Sequence, residues 1–177
     1  MDSFARFEAL QVLVGTAHDE SLRVGRTHVQ KWVYFLKRLG YDLGYRFVMH
    51  HYGPYSFELA SDLDVMASLG LIQVRRHEDD DGFEIIPRDN IGIAFLTQSQ
   101  RQQWEDNVKA LLSKVRKRPT KDLELMATAD FVGDVRKRLT GQTPEKQTVF
   151  DLLKTIKPGG SEADYNRAIE ELRQVVP

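Results

Sequence analysis

Apolar residues recur at three- and four-residue steps through most of this chain, and glycine or proline cuts that period at short intervals. The cuts fall at Gly40, Gly53-Pro54, Gly70, Asp81-Gly82, Pro119 and Lys157-Pro158-Gly159-Gly160. A helical period broken this often predicts several short helices packed on each other. The first helix is expected over Asp2 to Ala17, with Phe4, Phe7, Leu10 and Val14 on one inner face. The second starts at Thr27, which has capping-box spacing to Gln30, and buries Val29, Trp32, Val33, Leu36 and Leu39 before Gly40 stops it.

The middle of the chain adds β-structure. Tyr45, Phe47 and Met49 alternate with Arg46, Val48 and His50, so Tyr45 to Tyr52 reads as a short extended segment. Pro54 suits the first turn of a third helix, Tyr55 to Leu69, with Leu59, Leu63, Met66 and Leu69 inward. Ile72 to His77 and Phe83 to Ile86, joined across Asp81-Gly82, read as a hairpin. Ile91 to Leu96 reads as a third short strand.

The remainder is helical. Thr97 and Gln100 repeat the capping-box spacing ahead of a helix to about Arg118. Helices follow over Lys121 to Leu139, Pro144 to Ile156, with Thr143 as its cap, and Glu162 to Val175, capped by Ser161. The expected fold is α+β, mainly α. A winged-helix-like core with a small hairpin occupies residues 1–118, and a helical C-terminal part, 119–177, packs on it. Helix, helix, helix, hairpin, helix is winged-helix order.

Composition bounds the setting. The 177 residues contain no cysteine, which excludes disulfides and thiolate metal sites and fits a reducing, cytoplasmic compartment. Asp2, Arg6 and Glu8 interrupt the N-terminal apolar residues, so no signal peptide is expected, and no apolar run is long enough for a membrane span. Net charge is −1, so any nucleic-acid surface must be local.

More specific are Arg26-Thr27 with Gln30-Lys31, then Tyr34-Phe35-Leu36, His51-Tyr52-Gly53-Pro54-Tyr55-Ser56 and Leu69-Gly70-Leu71-Ile72. With Leu96-Thr97 and the run Leu123 to Ala129, these residues resemble the YwgA-like proteins. Through them they resemble the Panacea-domain group, which includes SocA-like antitoxins. The resemblance implies a winged-helix-like or related helical fold and a role in neutralising or escorting a partner protein. It supplies no catalytic residues.

Chemistry-bearing motifs are few. The expected third helix carries Glu58, Asp62 and Asp64 without Lys or Arg, and the hairpin tip is Glu78-Asp79-Asp80-Asp81. Both would repel phosphate, which disfavours DNA reading in the usual winged-helix manner. Read as a calcium loop with Gly82 sixth, the tip places His77 first and Arg88 twelfth, where acidic ligands are needed. His50 and His51 would point to opposite faces of a strand, so packing explains them better than a metal. No Gly-x-Ser-x-Gly elbow or phosphate loop is present. No enzyme, metal or cofactor is therefore expected.

The leading expectation is a non-enzymatic regulatory or antitoxin-like module. It binds a protein partner through Tyr52, Tyr55, Glu58 and Asp62. Buried packing is the competing role for the two tyrosines. The alternative is a nucleic-acid-binding regulator that uses Arg116, Lys117, Arg118, Arg136, Lys137 and Arg138, although cations at helix ends also serve the helix dipole. Assembly as a homo-oligomer is left open.

Overall fold

The computed structural model describes residues 3–76, 82–88 and 94–176. Seven helices and two separate two-stranded antiparallel hairpins make up these residues, a mainly-α α+β fold. The order is α1 (Ser3–Asp19), α2 (Arg26–Arg38), β1 (Val48–His50), β2 (Gly53–Tyr55), α3 (Phe57–Ser68), β3 (Ile72–Arg76), β4 (Phe83–Pro87), α4 (Gln98–Val115), α5 (Thr120–Thr140), α6 (Lys146–Ile156) and α7 (Glu162–Val175). The expected run of three helices, hairpin and helix is present, with β1–β2 set between the second and third helices. The hairpin tip, Glu78 to Asp81, and the first half of the expected third strand, residues 91–93, lie outside the described residues. Residues 94–96 are not a strand.

The N-terminal pair departs from one-sided amphipathicity. Helix α1 is covered by α4 and β4, and Ala5, Phe7, Ala9, Leu10, Val12, Leu13 and Val14 are all buried. Phe4 is not on an inner face. It is exposed and stacks on Phe95 at a centroid distance of 4.9 Å. Glu8 of α1 is buried because it has three partners. Its carboxylate accepts from the N–H groups of Phe95 and Leu96 at 2.7 and 2.8 Å and pairs with Arg101 at 3.0 Å. Those bonds hold residues 95 and 96 as the entry to α4 and leave their N–H groups no strand to join.

Helix α2 begins at Arg26, one residue before the expected cap. Gly25 has no capping side chain, so His28 supplies the bond, its Nδ1 accepting from the Gly25 N–H at 3.1 Å. Gln30 does not cap the helix. It points into the core, as described below. Pro54 does not open a helix either: it lies in β2 opposite Met49, and α3 starts three residues later with Ser56 as cap, its Oγ accepting from Leu59 N–H at 3.2 Å. Thr97 and Ser161 cap α4 and α7 as their spacing predicts. Helix α6 starts at Lys146, two residues beyond the expected Pro144.

Helix α5 ties the halves together. It packs against α2 and β2 on one side and α6 and α7 on the other. One apolar cluster runs from Leu13, Phe35 and Leu36 through Met126 and Ala127 to Leu153 and Ile169.

Candidate functional site

Eight consecutive residues of α2, Val29 to Leu36, are buried, which leaves no solvent-facing side for Gln30 and Lys31. Both are 2 % exposed or less. Each therefore requires an internal partner, and each finds it on the β1–β2 segment. The Gln30 carboxamide donates to the Ser56 carbonyl and accepts from the Ser56 N–H, both at 2.9 Å. The Lys31 ammonium donates to the Pro54 carbonyl at 2.7 Å. Burial depresses the Lys31 pKa to about 8, against an opposing pull from Glu124.

Helix α5 closes the clasp from the other side. Gly53 has φ +83° and sits so near this helix that an added Cβ would lie 2.6 Å from Thr128 Oγ1 and 3.2 Å from the Glu124 carbonyl. Glycine is required here by conformation and by space. Burial raises the Glu124 pKa, while Lys157, Lys31 and His51 oppose the rise. Lys157 Nζ also donates to the His51 carbonyl, so the turn of the hairpin is gripped by α2, α5 and the end of α6.

This grip presents an aromatic surface. Phe57 is 63 % exposed and Tyr52 is 55 % exposed, while Tyr55 is half-buried. Tyr55 meets Phe57 edge-on at 5.1 Å, and His50 lies 4.9 Å from Tyr55 and 5.8 Å from Phe57. His51 contacts Tyr52 at 4.9 Å. Both histidines thus take part in ring packing.

Glu58 and Asp62, one turn apart on α3, differ in exposure and in partners. Glu58 is exposed beside Phe57, and its carboxylate accepts from the Arg46 N–H at 3.3 Å. Asp62 turns inward: it accepts from the Tyr45 hydroxyl at 2.7 Å and lies 3.5 Å from Arg6. Asp64 pairs with Arg26. Tyr52 and Glu58 are thus exposed, Tyr55 is half-buried in the ring cluster with His50 and Phe57, and Asp62 is engaged by Tyr45 and Arg6.

The six basic residues of the alternative fall in two places. Arg116, Lys117 and Arg118 precede α5, and Arg136, Lys137 and Arg138 lie in its last turns. The stretch of α5 from Thr120 to Val135, about 24 Å of helix, separates the two groups. Arg116 pairs with Glu20 at 3.3 Å, Arg118 with Glu171 and Arg138 with Asp134.

Gln30 and Lys31 escape a stripe reading, which assigns polar residues outward. The signal for them is that they adjoin Val29 and Trp32 with no exposed face between. A second buried group has the same character. Tyr34 and Arg38 of α2 both donate to Asp130 of α5, at 2.5 and 2.6 Å, and Arg38 also meets Asp134 at 3.1 Å.

No family model matches the chain. It is 25 % identical over 154 residues to a protein of Bacillus subtilis (strain 168), the uncharacterized protein YwgA, across 86 % of this chain and 89 % of that one. The chain is similar to that protein over most of its length. No helix among the described residues is long and apolar enough to cross a membrane.

Proposed function

We propose that this YwgA-like chain is a cytoplasmic, non-enzymatic regulatory module, antitoxin-like in the manner of Panacea-domain proteins, that binds a protein partner. The observation that carries this reading is the pairing of strongly exposed Phe57 and Tyr52 with a backbone locked from beneath by Gln30 and Lys31. Exposed aromatic side chains on a rigid segment bring large contact area at small entropic cost, which is the character of interface anchors. Glu58 at the edge of the cluster favours a partner with cationic groups nearby.

The test is purification of the tagged chain from its native cells at low salt, beside a Tyr52→Ser, Phe57→Ser double variant. A stoichiometric protein that accompanies the native chain and is lost from the variant is the expected result. Glu58→Lys should weaken the same complex. Asp62 is unsuitable for this purpose because its substitution would break the Tyr45 contact. Nucleic acid that accompanies both forms and leaves as salt rises would replace the proposal with the nucleic-acid reading.

A further inference from the structure

A cleft of about 670 Å³ opens between the end of α2, the segment entering β1 and the C-terminal half of α5. That volume is within the usual range of small-molecule sites, about 300–1,000 Å³. Its wall is aromatic. Phe47 and Phe131 both lie against buried Tyr34, with ring centroids 5.3 and 6.3 Å from it. Neither phenylalanine is fully buried, and Val135 beside them is exposed.

The same cleft carries Lys37, Arg38, Arg46 and Arg138 against the carboxylates of Asp42 and Asp134. These cations differ in availability. Lys37 is held between Asp42 at 3.0 Å and the Tyr45 carbonyl at 2.7 Å. Arg38 is engaged by Asp130 and Asp134. Arg138 shares Asp134 with Arg38 while remaining largely exposed. Arg46 is exposed and has no ion-pair partner among the described residues. Four cations thus face the three carboxylates Asp42, Asp130 and Asp134, and Arg46, whose backbone N–H donates to Glu58, is the cation whose side chain remains for an anionic ligand.

We propose that this cleft binds a small anion that carries a planar aromatic base, of the nucleoside monophosphate class. The base fills the space along Phe47 and Phe131, and the phosphate is drawn to Arg46 and Arg138. Flat rings pack well on aromatic side chains. Guanidinium groups suit phosphate oxygens through charge-assisted, paired hydrogen bonds. The Tyr34–Asp130–Arg38 network behind the wall holds it in place before any ligand arrives. This cleft adjoins the aromatic surface at the contact between Arg46 and Glu58, but it does not depend on that surface's having a partner.

The full chain would be titrated at low salt with each of the four common ribonucleoside monophosphates, with adenosine and with inorganic phosphate, followed by backbone amide NMR. Saturable shifts centred on residues 44–49 and 131–138 are expected for at least one monophosphate. Adenosine and phosphate should each bind at least tenfold more weakly. Arg46→Glu should weaken the monophosphate at least tenfold without changing the unfolding midpoint, because only an exposed side chain is altered. Val135→Asp, which sets a negative charge in the cleft, should do the same. The proposal is overturned if no monophosphate saturates, if phosphate alone binds as tightly, if the shifts centre elsewhere, or if both variants bind like the native chain.

Discussion

The Lys31 ammonium meets the carbonyl of Pro54 at 2.7 Å, a contact between a buried cation and the backbone of a proline in a strand. Proline removes one donor from its strand but keeps its acceptor, and that acceptor is where α2 takes hold of the hairpin. Because the cation is buried, its cost depends on pH. The unfolded chain holds this proton up to about pH 10.4, its ordinary value, whereas the folded chain releases it near pH 8. Between those values the unfolded state binds more protons, so stability rises with pH. Tyr34 and Tyr45 act oppositely. Burial, reinforced by Asp130 and Asp62, holds both phenols above their ordinary range, so above about pH 10 the unfolded state ionises first and stability falls. Urea unfolding across this range should show a rise on the order of 2 kcal/mol from Lys31 and then a decline. Lys31→Met should remove the rise and leave the decline.

Gln30→Leu tests the other half of the clasp. The Ser56 carbonyl keeps a second partner, the Ala60 N–H at 3.1 Å, but the Ser56 N–H has only Gln30. Leaving that buried donor unpaired should cost about 1–3 kcal/mol in urea unfolding. Gln30→Glu keeps an acceptor for this N–H but places a carboxylate against the Ser56 carbonyl, so it should not restore native stability.

Gly53→Ala should destabilise by about 2 kcal/mol or more, since a left-handed backbone conformation alone costs about 1–2 kcal/mol for other residues. Combining it with Thr128→Ala removes the hydroxyl at 2.6 Å but not the +83° φ or the Glu124 carbonyl. The double variant should therefore recover only part of the loss, a non-additivity measurable by thermal unfolding.

At Asp130 the order of effects distinguishes a shared acceptor from a single bond. Asp130→Ala strips a partner from both Tyr34 and Arg38 and should cost about 3 kcal/mol or more. Tyr34→Phe deletes one hydroxyl and leaves Arg38 paired, so it should cost about 1 kcal/mol. Chemical denaturation of the two variants side by side checks the ranking.

The sequence is most readable where an element's signal and its physical cause are local. Thr97 and Ser161 cap helices because the N–H groups they satisfy are three residues away. The Asp81-Gly82 break separates strands that do pair, Ile72 opposite Pro87 through Arg76 opposite Phe83. Legibility fails where the cause is distant. Gln30, Lys31 and Glu8 are buried polar residues whose partners lie 23 to 93 residues along the chain, and a helical period does not contain that information. Asp62 looks like a surface acid for the same reason, because Tyr45 comes from a different segment. Tyr52 and Phe57 are legible in different degrees. The turn marks Tyr52, but Phe57 at the start of a helix looks like ordinary core and is exposed only because Leu59 and Leu63 take the inner face.

The bond from Tyr34 to Asp130 spans 96 residues of chain. During synthesis at about 5–20 residues per second, Tyr34 waits on the order of ten seconds before its acceptor exists. Throughout that interval α2 and the β1–β2 hairpin have no α5 to cover them. The nascent N-terminal half is thus a distinct species, with exposed apolar surface and an unmatched polar seam, and exposed surface of this kind is aggregation-prone until the covering helix emerges.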